Sequence, residues 1–262
     1  MGSKDLKISI VTINYNNAGG LKETIQSVLN QDYPRIEYIV IDGGSTDGSK
    51  EVIATYKDQI HYCVTEPDEG IYNAMNKGIR VATGDYLLFL NSGDFLIDKN
   101  VIKEAEASGM TKDLVSGNMI FHERNENWCP PEVLTFKTFF EGTIPHPSTF
   151  IRRTLFDQVG LYNESNSVVS DWEFFLLSTC KFNCSYQHID LYITRFLCDG
   201  LSSDPINMER ILIERSKVLN THFPLFLADY KAYVALCAEM KKVSYFIKYR
   251  RFVKRLFKFK KN

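Results

Sequence analysis

The residues of this 262-residue chain that can do chemistry stand where apolar runs stop. The run KISIVTIN ends on Asn14 and is followed by Tyr15; YIVID ends on Asp42; YLLFL, residues 86–90, gives way to Asn91, Ser92, Gly93 and Asp94. A carboxylate there can hydrogen-bond a base N–H or a ribose hydroxyl, and an aromatic such as Tyr15 can cover the face of a base. Hard carboxylate oxygens also suit a divalent cation. With a cation, Asp94 would neutralise a diphosphate, which leaves more readily when its charge is stabilised. The three ends together suggest a site for a nucleoside diphosphate, although Asn, Ser, Gly and Asp dominate ordinary turns as well.

Such a site needs strands that bring these ends to one edge. The β-branched or wholly apolar runs 7–14, 38–42, 60–65 and 86–90 read as strands, the last buried on both faces. Helices are expected between them: one with Leu21, Ile25, Val28 and Leu29 on a face, one with Val52, Ile53 and Tyr56, and one with Ile71, Ala74, Met75, Gly78, Ile79 and Ala82. Strands alternating with helices imply βαβ units and a doubly wound, mostly parallel sheet flanked by helices. In such sheets ligands bind at the carboxyl ends of the strands. Beyond residue 94 the rhythm loosens. Strands are expected over 114–121, 148–151, 185–189 and 192–197, and helices over 153–159, 170–180 and 205–242, with a proline-bearing loop region at 122–147.

Hydrophobic residues make up 44% of the chain, enough for a substantial core. No apolar run approaches the length of a membrane span, and residues 1–5 lack the apolar core of a signal peptide. The six cysteines (63, 129, 180, 184, 198 and 237) are scattered and form no paired zinc pattern, so reduced thiols in a cytosolic protein are expected. The net charge of −1 conceals an asymmetry. Residues 244–262 hold eight Lys or Arg and no acid, interleaved with Tyr245, Phe246, Tyr249, Phe252, Val253, Leu256 and Phe257 at helical spacing. That pattern reads as a basic amphipathic helix suited to an anionic membrane surface. Nucleic acid is a poorer partner, since the bases are confined to one terminus and no recognised module precedes them.

The series IVTINYNN, IVIDGGSTDG, DEGIYNAMNKG, GDYLLFLNSGD, HPSTFIRR and SDWEFFL resembles the family 2 glycosyltransferases of the GT-A fold, over residues 6–203. The resemblance implies an inverting transferase that moves a sugar from a nucleotide donor, usually a UDP-sugar, to a hydroxyl acceptor. It also implies a divalent cation, Mg²⁺ or Mn²⁺. Carried over, it assigns Thr12, Asn14 and Tyr15 to the nucleoside pocket and Asp42 to the base. Asn73, Asn76 and Lys77 would reach the diphosphate or donor sugar, with Arg195 meeting donor phosphate in the segment that closes the site, which continues through residues 199–202. Asn91, Ser92 and Asp94 occupy the family's Asp-x-Asp segment, where this chain departs from the pattern: Asn91 and Gly93 stand where many relatives have Asp, leaving Asp94 as the anionic metal ligand. Asp171 matches the catalytic base, which an inverting mechanism needs to deprotonate the acceptor; Trp172 and His146 would lie toward the acceptor. Without the resemblance, an Asp that satisfies backbone N–H groups at a helix N-terminus is the readier reading of Asp171.

A GT-A domain over 1–203 and a helical C-terminal extension over 204–262 are therefore expected. The acceptor would be a lipid-linked or polysaccharide hydroxyl in cell-surface glycan biosynthesis, reached at the inner face of the membrane. A sugar nucleotidyltransferase would call for a Gly-rich, basic loop after the first strand, and residues 14–20 contain no base. A dinucleotide oxidoreductase would call for Gly-x-Gly-x-x-Gly, which is absent there. A catalytically silent nucleotide-sugar scaffold is the remaining rival, favoured by the reduced Asp-x-Asp segment and opposed by Asp94 and Asp171 both being present.

Overall fold

A computed structural model describes residues 6–197 and 204–258, with side chains described as far as 243. Among these residues the elements run β1 (Ile8–Asn14), α1 (Ala18–Leu29), β2 (Ile36–Asp42), α2 (Ser49–Tyr56), β3 (Tyr62–Thr65), α3 (Ile71–Val81) and β4 (Tyr86–Phe89). They continue β5 (Phe95–Leu96), α4 (Val101–Ala107), β6 (Leu114–Phe121), β7 (Glu126–Trp128), α5 (Phe136–Glu141), β8 (Thr149–Arg152) and α6 (Leu155–Val159). Last come α7 (Ser170–Cys180), β9 (Tyr186–Phe196), α8 (Met208–His222) and α9 (Pro224–Lys258).

One mixed sheet holds the strands in the order β3-β2-β1-β4-β8-β6-β9-β5, with β7 hydrogen-bonded to β6. The stretch β3-β2-β1-β4 is wholly parallel, as the alternating pattern up to residue 94 predicts. β8 runs antiparallel to both β4 and β6, and β5 and β7 are short antiparallel additions. The longest ladders, β1 with β2 and β6 with β9, are parallel. All seven residues of β1 and all four of β4 are buried, which is why β4 reads as an unbroken apolar run and β1 as a largely β-branched one with Ser9 and Thr12 buried among its apolar residues. Residues 185–197, expected as two strands, form the single long β9; its register against β6 shifts around Asn118, so one irregular strand replaces two regular ones.

Two glycines let α3 and β4 approach β1. A side chain on Gly78 would run into that of Val11, and one on Gly84 would meet the Ser9 hydroxyl and backbone. At the amino end of the sheet, Glu37 is buried and accepts hydrogen bonds from Lys7 Nζ, Ser9 Oγ and Thr83 N. Burial alone would raise its pKa, but these donors outweigh burial and bring it down to about 2.

The chain divides into two compact units, residues 1–211 and 212–262; the expected boundary at 203/204 falls inside the first. No helix among the described residues is long and apolar enough to cross a membrane. The α9 backbone continues to Lys258, while the side chains of the basic tail and residues 199–202 of the expected closing segment lie outside the described residues.

Candidate active site

Parallel pairing gathers the polar strand ends as their sequence positions require. Asn14 stands opposite Asp42 in the β1–β2 ladder, and beyond β4 the backbone keeps pairing with β1, Leu90 N donating to Val11 O and Ser92 N to Ile13 O. Asp42 itself has no exposed surface. Its carboxylate accepts from Asn14 Nδ2 at 2.7 Å, from Ser45 Oγ at 2.5 Å and from Ser45 N at 3.1 Å. The Ser45 hydroxyl in turn accepts from Asn16 N. Asp42 is thus a buried organiser of the loops after β1 and β2, its carboxylate turned to Asn14 and Ser45 rather than exposed at the edge where a base was expected to meet it. Thr12 is also fully buried, its hydroxyl accepting from Tyr38 Oη, and it lines the core rather than a pocket.

Tyr15, by contrast, is 70% exposed, an aromatic face offered to solvent at the carboxyl edge of the sheet. Gly43 opens the space beside it. A Cβ on Gly43 would lie 2.9 Å from Asp68 Oδ2 and 3.2 Å from the Tyr15 ring. The carboxylate next to the exposed aromatic is therefore that of Asp68, in the loop between β3 and α3. Lys77 of α3 holds it, with Nζ 2.6 Å from Asp68 Oδ1 and 2.8 Å from Glu66 Oε1. Burial alone would lower the Lys77 pKa, but the two carboxylates outweigh burial and raise it, so Lys77 stays a cation.

The Asn91–Asp94 turn is fixed by one buried hydroxyl. Thr24 Oγ1, on α1, donates toward Asp94 O at 2.7 Å and accepts from Gly93 N at 2.9 Å. Gly93 sits at φ +105°, a conformation that L side chains rarely adopt. Asn17 caps α1, accepting from Gly20 N, while its Nδ2 donates to Ser92 O. Asp94 is buried, with Oδ1 accepting from Leu197 N at 3.1 Å. Asn91 Oδ1 is a buried acceptor without a hydrogen-bond partner. No group of three or more His, Cys, Asp or Glu among the described residues forms a cation cage. One carboxylate and one unpartnered amide oxygen fit a cation of the Mg²⁺ type, which takes one or two protein ligands and completes its shell from phosphate and water. Arg195 lies opposite Phe95, the residue after Asp94, in the β5–β9 ladder.

The third part of the site is an aromatic cluster packed on the end of β4. Phe89 stacks on His146 at 5.0 Å and meets Tyr162 edge-on at 5.5 Å. His146 Nε2 and the Tyr162 hydroxyl are hydrogen-bonded at 2.9 Å. Burial lowers the His146 pKa, with Asp171 pulling weakly the other way, so the imidazole is neutral near pH 7. Asp171, in the first turn of α7, accepts from the Tyr72 hydroxyl of α3 at 2.8 Å. Trp172 turns away from the site: it is buried and its Nε1 donates to Phe139 O, anchoring α7 on α5. Asn76 is buried too, holding Tyr162 through both its backbone N and O, and with Asn73 it binds Glu164. Those amides, expected at the donor phosphates, instead tie α3 to the loop before α7.

Tyr72, Tyr162, Glu164, Asp68 and Thr24 were not expected at the site. Tyr72 and Asp68 fall within EPDEGIYNAMNKG, the stretch that also supplies Asn73, Asn76 and Lys77, so an acidic residue and a phenol beside them were a usable signal. Thr24 had none, being one hydroxyl on an otherwise ordinary helix.

Residues 9–163 match the model of glycosyl transferase family 2, and the chain belongs to that family. It is a glycosyltransferase. An uncharacterized glycosyltransferase of Mycobacterium tuberculosis is 34% identical over 176 residues, covering 64% of this chain and 67% of its own. A PGL/p-HBAD biosynthesis glycosyltransferase of Mycobacterium bovis is 31% identical, covering 63% and 67%. Among solved structures, residues 1–349 of S. aureus TarS in complex with UDP superpose with a TM-score of 0.61 at 19% identity, over 73% of this chain and 60% of that one. The mannosyltransferase PcManGT of Pyrobaculum calidifontis, in complex with GDP-Man and Mn²⁺, gives 0.58 at 16%, over 86% and 65%. This chain thus spans less than two thirds of those two structures, and at such identities they share its fold.

Proposed function

We propose that the chain is an inverting transferase that moves a sugar from a nucleoside diphosphate donor, a UDP-sugar, to a hydroxyl of a lipid-linked or polysaccharide acceptor. The observation that carries this reading is Asp171. Its Oδ1 is held by the Tyr72 hydroxyl, and no hydrogen bond to its Oδ2 is found among the described residues. In the proposed step the acceptor oxygen forms a bond to the anomeric carbon while its proton passes to Asp171. The bond from that carbon to the diphosphate breaks, and the nucleoside diphosphate leaves with the electron pair. A single displacement of this kind needs one carboxylate base on the acceptor side.

Tyr15 would cover the base and Asp68 Oδ2, beside it across Gly43, would accept from a base N–H. Asp94 and Asn91 Oδ1 would hold a divalent cation, which when bound neutralises charge on the diphosphate. Arg195, on the neighbouring strand, would face the same phosphates. A uridine donor is supported by S. aureus TarS, which shares the fold and has been crystallised with UDP and with UDP-GlcNAc. A role in cell-surface glycan assembly is supported by the PGL/p-HBAD relative and by a putative teichuronic acid biosynthesis glycosyltransferase of Bacillus subtilis, 36% identical over 90 residues. We extend the reading to the cytoplasmic face of a membrane, because residues 244–262 are basic and aromatic in alternation.

The test is Asp171→Asn, assayed by release of UDP from a panel of UDP-sugars and by UDP affinity in calorimetry. Turnover should fall by about three orders of magnitude with UDP affinity kept. A variant as active as the parent would mean that another group is the base.

A further inference from the structure

The role of Tyr72 follows from how completely it is fixed. It is the second residue of α3, is nearly fully buried, and packs against the Tyr162 ring with centroids 5.7 Å apart. Tyr162 is in turn held by Asn76 through its backbone, by His146 through its hydroxyl, and by Phe89, Phe156 and Phe174 around its ring. A phenol packed this way cannot swing off the Asp171 oxygen it binds. Asp171 stands at the start of α7, 99 residues further along the chain, so only the fold brings the two together.

We propose that Tyr72 is the positioning residue for the base: its hydroxyl pins Oδ1 of Asp171 and so selects Oδ2 as the oxygen that meets the acceptor hydroxyl. The inference rests on the reading of Asp171 as the base. A carboxylate on a free χ2 rotor presents either oxygen in many orientations. One fixed donor removes that freedom before the acceptor arrives, and orientation of this kind is a large part of what a site contributes to rate. Tyr72 can serve because it remains a donor. Burial, and after it the charge of Asp171, push the Tyr72 pKa well above the usual phenol value, so the hydroxyl keeps its proton across the working range. The titratable groups facing Asp171 are Tyr72 from α3, His146 from the turn before β8 and Tyr162 from the loop before α7. The first donates to it directly, and the other two bond each other.

Tyr72→Phe keeps the ring and removes only the hydroxyl, so the fold and the donor pocket stay intact. Its kcat for UDP release from UDP-GlcNAc and other UDP-sugars should fall about tenfold to a hundredfold, with donor KM and Tm unchanged. A merely structural tyrosine would show the reverse, a lower Tm and an unaltered kcat, and that result would overturn the proposal. Proton NMR supplies a measurement that needs no donor: a slowly exchanging, downfield hydroxyl resonance should be present in the parent and missing from both Tyr72→Phe and Asp171→Ala, which removes the acceptor oxygen. Its persistence in Asp171→Ala would also overturn the proposal. If instead Asp171→Asn turns over normally while the resonance behaves as expected, the base assignment fails and the contact stands.

Discussion

A carboxylate's worth to a ligand is set by what already occupies its oxygens. Asp42 and Asp68 both stand near Tyr15, yet Asp42 is enclosed by Asn14 and Ser45 while Asp68 keeps Oδ2 beside the aromatic ring. Substituting each by alanine should therefore give opposite signatures. Asp68→Ala should weaken UDP about tenfold, the cost of about 1.4 kcal/mol for one lost charge-assisted hydrogen bond, with Tm little changed. Asp42→Ala strands the Asn14 amide and the Ser45 N–H in the interior, costing about 2–3 kcal/mol of stability, seen as a lower urea midpoint. Equal UDP affinity in Asp68→Ala and the parent would remove Asp68 from the pocket. The sequence alone could not separate the two, because burial of a side chain at a strand end depends on which loop folds over it.

Among the elements, α3 shows how much a periodic pattern reveals and where it stops. The apolar positions Ala74, Met75, Gly78 and Ile79 mark its buried face correctly. Its polar positions were harder: Asn73, Asn76 and Lys77 looked like groups for a ligand, yet they bind Glu164, the Tyr162 backbone and Asp68. A pattern of burial gives the face that packs on β1, while the partners of polar residues lie 9 to 91 positions away and follow from tertiary structure. Gly78 is the element's tightest point, since any side chain there meets Val11. Gly78→Ala should lose about 1–3 kcal/mol despite alanine's better helix propensity. A denaturant midpoint at or above that of the parent would mean that α3 can retreat from β1 without cost.

At the scale of the whole chain, the parallel half of the sheet was legible because buried parallel strands are continuous apolar runs and their connections are helical. The second half was less so. β5 and β7 have two and three residues and α5 has six, too few to show a period, and β9 carries its irregular register in an unremarkable run. The basic tail is a property of the full chain, too. Truncation after Val243 should abolish sedimentation with vesicles containing about 30% anionic lipid, since each basic residue near such a surface contributes about 1 kcal/mol; a truncated chain that still sediments would refute the membrane reading. The contacts of α3 carry a last consequence for how this enzyme can be altered. Lys77 grips the loop that carries Asp68, and Tyr72 grips the residue read as the base, so two jobs share one 11-residue strut. Exchanges on the strut itself would disturb nucleotide choice and turnover at once. The loop at residues 66–70, which bears Asp68 but not Tyr72, is where nucleotide preference can drift, or be redesigned, while the rest of the machine stays in tune.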